Sequence, residues 1–234
     1  FDGDYPCCRS AQEMNILAGK LCTTIMPLFD DRDESRTEQA VAKVLESIFG
    51  GDFHEGDHLT EASLSQLLGM SRTPIRGALL ELKGLGVLEV RRNRGAIVTQ
   101  LSEVKLREIF EVRRILEVEA TRKSSGRINA QTLGDLLKAI RQLLESGGED
   151  GDWELDQRIH TTIAESCGNR RLQHEIRRYD TLMQAIRKTV GKRMPVHRIT
   201  AEQHLDILTA IANHQPDAAA AAMRIHLEQA EESA

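Results

Sequence analysis

The chain has 234 residues with 31 Lys and Arg against 36 Asp and Glu, a net charge of −5 that excludes a polybasic protein. Its 40% apolar share is enough to bury a core and excludes a disordered chain. No apolar run is long enough for a spanning helix, and no signal peptide is evident, so no membrane partner is expected.

Three of the four cysteines (Cys7, Cys8, Cys22) lie in the first 25 residues, which is not a disulfide framework. A reducing, cytoplasmic location is expected. Residues 1–35 show no sustained period and read as a disordered or non-native leader, with 1–25 an over-extended gene start. Thr37–Phe49 reads as a helix through Val41, Val44, Leu45 and Ile48, and Gly50-Gly51 ends it. Thr60 caps a short helix bearing Leu64, Leu67 and Leu68, stopped by Gly69. Ser71 caps a third helix with Pro74 in its first turn and an apolar face of Ile75, Ala78, Leu79 and Leu82. Val87–Arg91 and Ala96–Thr99 are strand-like, joined by the polar turn Arg92-Asn93-Arg94-Gly95.

This order is that of a winged helix-turn-helix over residues 36–101, which places the N-terminus of the third helix in the major groove of DNA. Residues 71–94 hold six basic side chains (Arg72, Arg76, Lys83, Arg91, Arg92, Arg94) against Glu81 and Glu89, a compact +4 segment in an acidic chain. Arg72 and Arg76 share one helical face and suit guanine, while Ser71 and Thr73 suit phosphate. Arg92, Asn93 and Arg94, with Gly95, form a wing that reaches the backbone or minor groove. The competing reading is a winged-helix module that binds protein instead of DNA.

The stretch Leu59-Thr60-Glu61 to Leu64, then Leu68-Gly69-Met70-Ser71-Arg72-Thr73-Pro74-Ile75-Arg76, resembles the helix-turn-helix signature of the GntR family of bacterial transcription regulators. Leu85–Leu88 and Asn93–Val98 are similar to that family's wing. Two positions depart from the pattern. Gly77 stands where members usually carry Glu, and no Arg occurs at Ala62 or Ser63, where some members contact bases. A Gly within a helix costs about 1 kcal/mol relative to Ala, and the operator sequence does not carry over.

From Ser102 to the end, residues 102–234, strand signals vanish and six amphipathic helices follow: Ser102–Lys123, Asn129–Ser146, Asp152–Cys167, Arg170–Val190, Thr200–Asn213 and Asp217–Glu231. Gly147-Gly148, Gly151 and the Met194-Pro195 loop separate some of them. Short connections predict an antiparallel bundle, so the fold class is mainly α. The first of these helices is read with Val104, Ile109, Val112, Ile115 and Leu116 as its inward stripe. Of eight histidines, His54 and His58 fall in a polar loop, His174 on a solvated arginine-rich face, and His197 and His214 near helix ends. His160, His204 and His226 instead sit on apolar faces of three helices, and Asp156 lies one turn before His160. Carboxylate and imidazole four residues apart are about 40° apart around a helix. Such a set suits Zn, Ni, Mn or Fe(II), whereas a lone histidine on an apolar face is usually a satisfied core residue.

The second half is similar to the FCD ligand-binding domain of the FadR subfamily, with Glu111-Val112-Arg113 to Leu116-Glu117 matching its opening helix. The resemblance implies that Asp156, His160, His204 and His226 hold a divalent transition metal, zinc first and nickel, manganese or iron as alternatives. It implies that Arg113, and with it Asn169, bind a small carboxylate effector. Metal charge plus Arg113 favours an organic anion, and proton competition weakens the metal below about pH 6.

The expected function is a DNA-binding transcription regulator, a repressor, whose affinity for a pseudo-palindromic operator on double-stranded DNA is set by a small organic acid at the bundle metal. The protein acts as a homodimer and is not an enzyme. A purely structural metal is the alternative. A metal-dependent hydrolase lacks any recognisable catalytic motif or extra base, and the three histidines argue against an acyl-CoA sensor.

Overall fold

The computed structural model describes residues 31–91, 95–146, 153–190 and 198–232. The leader expected at residues 1–25, the wing tip Arg92, Asn93 and Arg94, the glycine break at 147–151 and the Met194-Pro195 loop lie outside the described residues. Among those described, none of the helices is long and apolar enough to cross a membrane.

The N-terminal elements are α1 (Asp31–Gly50), β1 (His58–Leu59), α2 (Glu61–Leu68), α3 (Arg72–Gly84), β2 (Leu88–Arg91) and β3 (Gly95–Val98). Helix α1 already includes Asp31, so the acidic run assigned to the leader is helical; charged residues of this kind extend a helix once its apolar part has nucleated. Helix α2 is bounded as its residues dictate. Thr60 accepts from the Ser63 amide, the Ser63 hydroxyl caps in return, and Gly69 closes the helix with a left-handed φ of 64°. Ser71 stands at the N-cap of α3, but its side chain makes no capping bond.

The sheet is antiparallel in the order β1-β3-β2, so His58 lies in a strand and not in a loop. Two residues show no alternation to detect; β1 exists because Leu59 pairs with Ala96 and is buried beneath it. Gly95 has a φ of 77°, and a Cβ there would come within 2.4 Å of the Leu59 carbonyl oxygen. Gly95→Ala is therefore expected to cost about 2 kcal/mol or more, through left-handed strain plus displacement of β1. Urea unfolding checks this, and an unchanged midpoint would mean that β1 can withdraw freely.

Six helices follow: α4 (Glu103–Ser124), α5 (Ala130–Glu145), α6 (Trp153–Ser166), α7 (Arg170–Val190), α8 (Arg198–Ala212) and α9 (Pro216–Glu232). Ser102 and Asn129 cap α4 and α5 as expected. Thr200 and Asp217 are not caps, because α8 begins at Arg198 and α9 at Pro216, whose fixed φ suits a first turn. Helix α4 corrects the sequence expectation most. Val104, Val112 and Ile115 are exposed, and the inward face instead carries Ile109, Phe110, Arg113, Glu117, Val118 and Thr121.

Two apolar cores result. One fills the bundle, with Leu136, Ile159, Ile163, Ile207, Leu208 and Met223 among its members. The other lies between α1, α3 and the sheet, and it also takes in Ile109 of α4 and Leu182 and Ala185 of α7. The winged helix is thus packed onto the bundle and shares a core with it.

Candidate metal centre and nucleic-acid interface

Helix α6 presents Asp156 and His160 one turn apart, α8 presents His204 and α9 presents His226; all four are buried. One donor atom from each lies within 4.8 Å of the others. The Nε2 atoms of His160 and His226 are 3.2 Å apart, and those of His204 and His160 are 3.3 Å apart. Asp156 Oδ1 stands 3.6 Å from His204 Nε2 and 3.9 Å from His160 Nε2.

The outer ring nitrogens explain which inner ones carry lone pairs. His160 Nδ1 lies 2.5 Å from Glu117 Oε2, and His226 Nδ1 lies 3.2 Å from Gln203 Oε1. Those oxygens only accept, so Nδ1 carries the hydrogen in both rings. Two lone pairs then converge at Nε2, beside a buried carboxylate oxygen, Asp156 Oδ1, that has no hydrogen-bond partner. With His160 neutral such an arrangement is repulsive unless a cation lies between the donors, and a proton on His160 competes for the same place. At zinc–nitrogen distances of about 2.0–2.1 Å, tetrahedral ligands are about 3.3 Å apart. The residues therefore fit a divalent transition metal, and the outer hydrogen bonds are those that orient metal-ligating imidazoles.

The charges around the cluster are paired through burial. Arg113 Nε donates to Glu117 Oε1 at 2.9 Å, so Glu117 links Arg113 to His160. Burial alone raises the Glu117 pKa, but Arg113 and His160 outweigh it and hold the group ionised. Arg187 of α7 donates to Asp156 Oδ2 and lies 4.7 Å above the Trp153 ring. Burial likewise opposes ionisation of Asp156, yet Arg187 and then the imidazoles hold its pKa well below the usual carboxylate range. Burial lowers His204 to about 4, and burial with His204 and His160 beside it holds His226 well below its ordinary value. For His160 burial is again the largest influence and lowers the pKa, but Glu117 overcomes it and the net shift is upward. Burial and the nearby Glu117 push Asp180 up to about 7.

Arg113 was expected beside the metal. It is buried among these groups, its Nη1 has no hydrogen-bond partner, and it lies 5.2 Å from the Phe110 ring. Asn169 does not join the cluster: it is exposed, and its Oδ1 accepts from the Arg171 and Leu172 amides at the start of α7. Sequence reasoning missed Glu117, Gln203 and Arg187 as parts of the site. Glu117 carried a signal, being four residues after Arg113, but Arg187 is one arginine among several on α7 and carried none.

The residues expected to face DNA are simpler. Ser71, Arg72, Thr73 and Arg76 are all exposed at the start of α3. Arg76 is held by Glu61 of α2 through two bonds, Nε to Oε1 at 2.7 Å and Nη2 to Oε2 at 2.9 Å. The hydrogen bond from Arg76 lowers the Glu61 pKa. At Gly77 α3 lies close to α1: a Cβ there would come within 2.9 Å of Thr37 Cγ2, so a larger residue would require Thr37 to shift. His174, read as solvated, is half-buried instead, because α7 packs on the winged helix.

The model of bacterial regulatory proteins of the gntR family matches residues 36–98, and the FCD domain model matches residues 108–229. The HTH-type transcriptional repressor RspR of Escherichia coli (strain K12) is 25% identical over 181 residues, covering 76% of this chain and 79% of that protein. The Nta operon transcriptional regulator of Aminobacter aminovorans is 28% identical over 179 residues, covering 76% and 84%. Among solved structures, E. coli McbR/YncC superposes with a TM-score of 0.62 at 22% identity, covering 83% of this chain and 94% of that one. A putative transcriptional regulator GntR from Rhodococcus sp. RHA1 gives 0.56 at 21% identity, covering 85% and 96%. The two structures bear on the fold, and the two matched domain models lie in the expected order along the sequence. The chain belongs to the GntR family of bacterial transcriptional regulators, in the group that carries a C-terminal FCD domain.

Proposed function

We propose that residues 36–101 read DNA and that residues 102–234 sense a small organic anion at a divalent transition metal. The observation that carries this reading is the buried convergence of Asp156, His160, His204 and His226, with Asp156 Oδ1 and Arg113 Nη1 left without hydrogen-bond partners. Asp156 Oδ1 and the imidazole Nε2 atoms hold the metal, zinc first, with nickel, manganese or iron as alternatives. When bound, the ion supplies a positive charge that a carboxylate can meet, and Arg113 supplies a buried guanidinium for the same anion. Ser71, Arg72, Thr73 and Arg76, with the wing residues Arg92, Asn93 and Arg94, contact an operator on double-stranded DNA, and two copies of the chain address a pseudo-palindrome. A cytoplasmic repressor relieved by its effector is the working sense, in keeping with the name of the E. coli relative.

Native mass spectrometry of the untagged protein, followed by denaturation of the same sample, tests the sensor. A dimer with one metal per chain and a retained small acid is the expected result. A dimer that is metal-free from a metal-replete preparation and takes up none on titration would leave DNA binding standing and end the sensor reading. The competing structural-metal reading keeps the metal but predicts that no small acid alters operator binding.

Acid should weaken the metal in a particular way. His204 and His226 are neutral at pH 7 and need release no proton, whereas His160 has its pKa raised above 6.5. Below the His160 pKa the metal must displace one proton, so affinity falls about tenfold per pH unit. It steepens again near pH 4, where His204 protonates. The charged groups acting on His160 are Glu117, Asp156 and Asp180, and all three favour its protonation. Chelator competition between pH 8 and 5.5 measures the slope, and a flat profile through neutrality would refute the Glu117 contribution.

A further inference from the structure

Helix α7 supplies no ligand to the histidine cluster, yet it touches both halves of the molecule. Near its C-terminus, Arg187 donates to Asp156 Oδ2 while its guanidinium rests on Trp153. That contact occupies one carboxylate oxygen and leaves Oδ1 alone to face the imidazoles. Two to five residues earlier, Leu182 and Ala185 are buried in the core of the winged helix, with Tyr179 and Ile186 packed against it. Arg178 reaches the DNA-reading helix itself. Its Nη2 donates to the Glu81 carbonyl oxygen at 3.4 Å, and its Nε lies 3.6 Å from the Glu81 carboxylate. On α1, Glu38 lies 3.5 Å from Arg177, and Glu46 lies 2.5 Å from Lys188.

One rigid helix therefore joins a candidate metal ligand to α1 and α3. We propose that Arg187 is a positioning residue for Asp156, and that through it α7 transmits occupancy of the metal site to the recognition helix. This rests on the proposed metal site and specifies how that site reaches DNA. The physical basis is direct. Closing a cation onto Asp156 Oδ1 draws electron density from the carboxylate and fixes its orientation. Oδ2 is the acceptor for Arg187, so the angle and strength of that bond change with occupancy. Trp153 belongs to α6 like Asp156, so the cation–π contact and the carboxylate bond together tie Arg187 of α7 to the ligand-bearing helix at two points. Any change is then expressed in α7, whose other face is the floor of the winged-helix core. Packed interiors move as units instead of absorbing small shifts.

Hydrogen exchange of the full-length protein with and without Zn2+ tests this, using wild type, Arg187→Gln, Arg187→Lys and Arg178→Ala. In the wild type, Zn2+ is expected to protect amides of α6, α8 and α9, which bear the ligands, and also those of α7, α1 and α3. Arg187→Gln should bind Zn2+ about 10–100-fold more weakly. At saturating Zn2+ it should keep protection in α6, α8 and α9 and lose the Zn2+-dependent part in α1 and α3. Arg187→Lys should restore part of it. Arg178→Ala leaves every donor atom in place, so it should bind Zn2+ normally yet lose the response of α3; it also serves if Arg187→Gln does not fold. Equal Zn2+-dependent protection of α3 in the wild type and both severed variants would overturn the proposal. So would a wild type that binds Zn2+ with protection confined to the bundle. Wild type that takes up no Zn2+ overturns the metal site as well, which separates the two failures.

Discussion

His204→Ala is expected to lower zinc affinity by at least about 100-fold, the upper end of what loss of an outer partner alone costs at metal sites. The effect should appear most plainly as thermal stability. An ion at 1,000 times its Kd stabilises the folded state by about 4.1 kcal/mol. For a chain of this length each kcal/mol is worth roughly 2–4 °C, so the wild type should gain on the order of 10 °C on zinc loading. The variant, at the same zinc concentration but only about 10 times its Kd, should gain about 1.4 kcal/mol, or roughly 4 °C. With chelator present the two proteins should differ far less. The substitution removes packing, but it also removes one of the imidazoles crowded within 3.3 Å of a neighbour. Differential scanning calorimetry with and without zinc makes the comparison, and an equal zinc-dependent gain in both proteins would exclude His204 as a ligand.

Arg76→Ala is expected to weaken operator binding by about 5- to 150-fold and to relax preference at one base pair, as for an arginine that reads guanine. The geometry adds a second arm. Arg76 Nε and Nη2 are both occupied by Glu61, which aims the remaining donor edge of a guanidinium that is otherwise exposed. Glu61→Gln should therefore reduce specificity for the operator over random DNA while leaving nonspecific binding equal or stronger, since it removes a negative charge from the phosphate-facing side. Arg72→Ala supplies the contrast, because Arg72 has no such clamp among its described contacts. Titrations against operator and scrambled duplex at two salt concentrations distinguish base reading from phosphate contact. A loss that is uniform over all sequences, with the salt slope reduced by about one, would assign Arg76 to the backbone instead.

Both experiments test residues that a reading of the chain had singled out, and the reason is that their signals are local. Asp156 and His160 are one turn apart on a single helix, and His204 and His226 interrupt apolar faces. The cap at Thr60, the stop at Gly69 and the basic start of α3 are likewise features of a few consecutive residues. Helix positions and the family resemblance follow from such patterns, since backbone propensity and period are properties of a segment.

Tertiary structure decided the rest, because the inward face of a helix depends on what it meets. Helix α4 carries Val104, Val112 and Ile115 on an exposed side, while Arg113 and Glu117 are buried with Ile109, Phe110 and Val118 on the other. Arg113 and Glu117 can be buried because each neutralises the other and Glu117 also accepts from His160, a condition visible only once α6 lies beside α4. The resemblance implies effector binding for Asn169, but its side chain caps the start of α7 instead. Arg187 had no distinguishing neighbour along the chain, and it acquires its place through Asp156, 31 residues earlier. The sequence by itself determined the helices, the winged helix-turn-helix pattern and the four metal-ligand candidates. Packing of α6, α8 and α9 brought those four to one point, and packing of α7 joined that point to the winged helix, because such contacts link residues far apart in the chain and leave no period within any one segment.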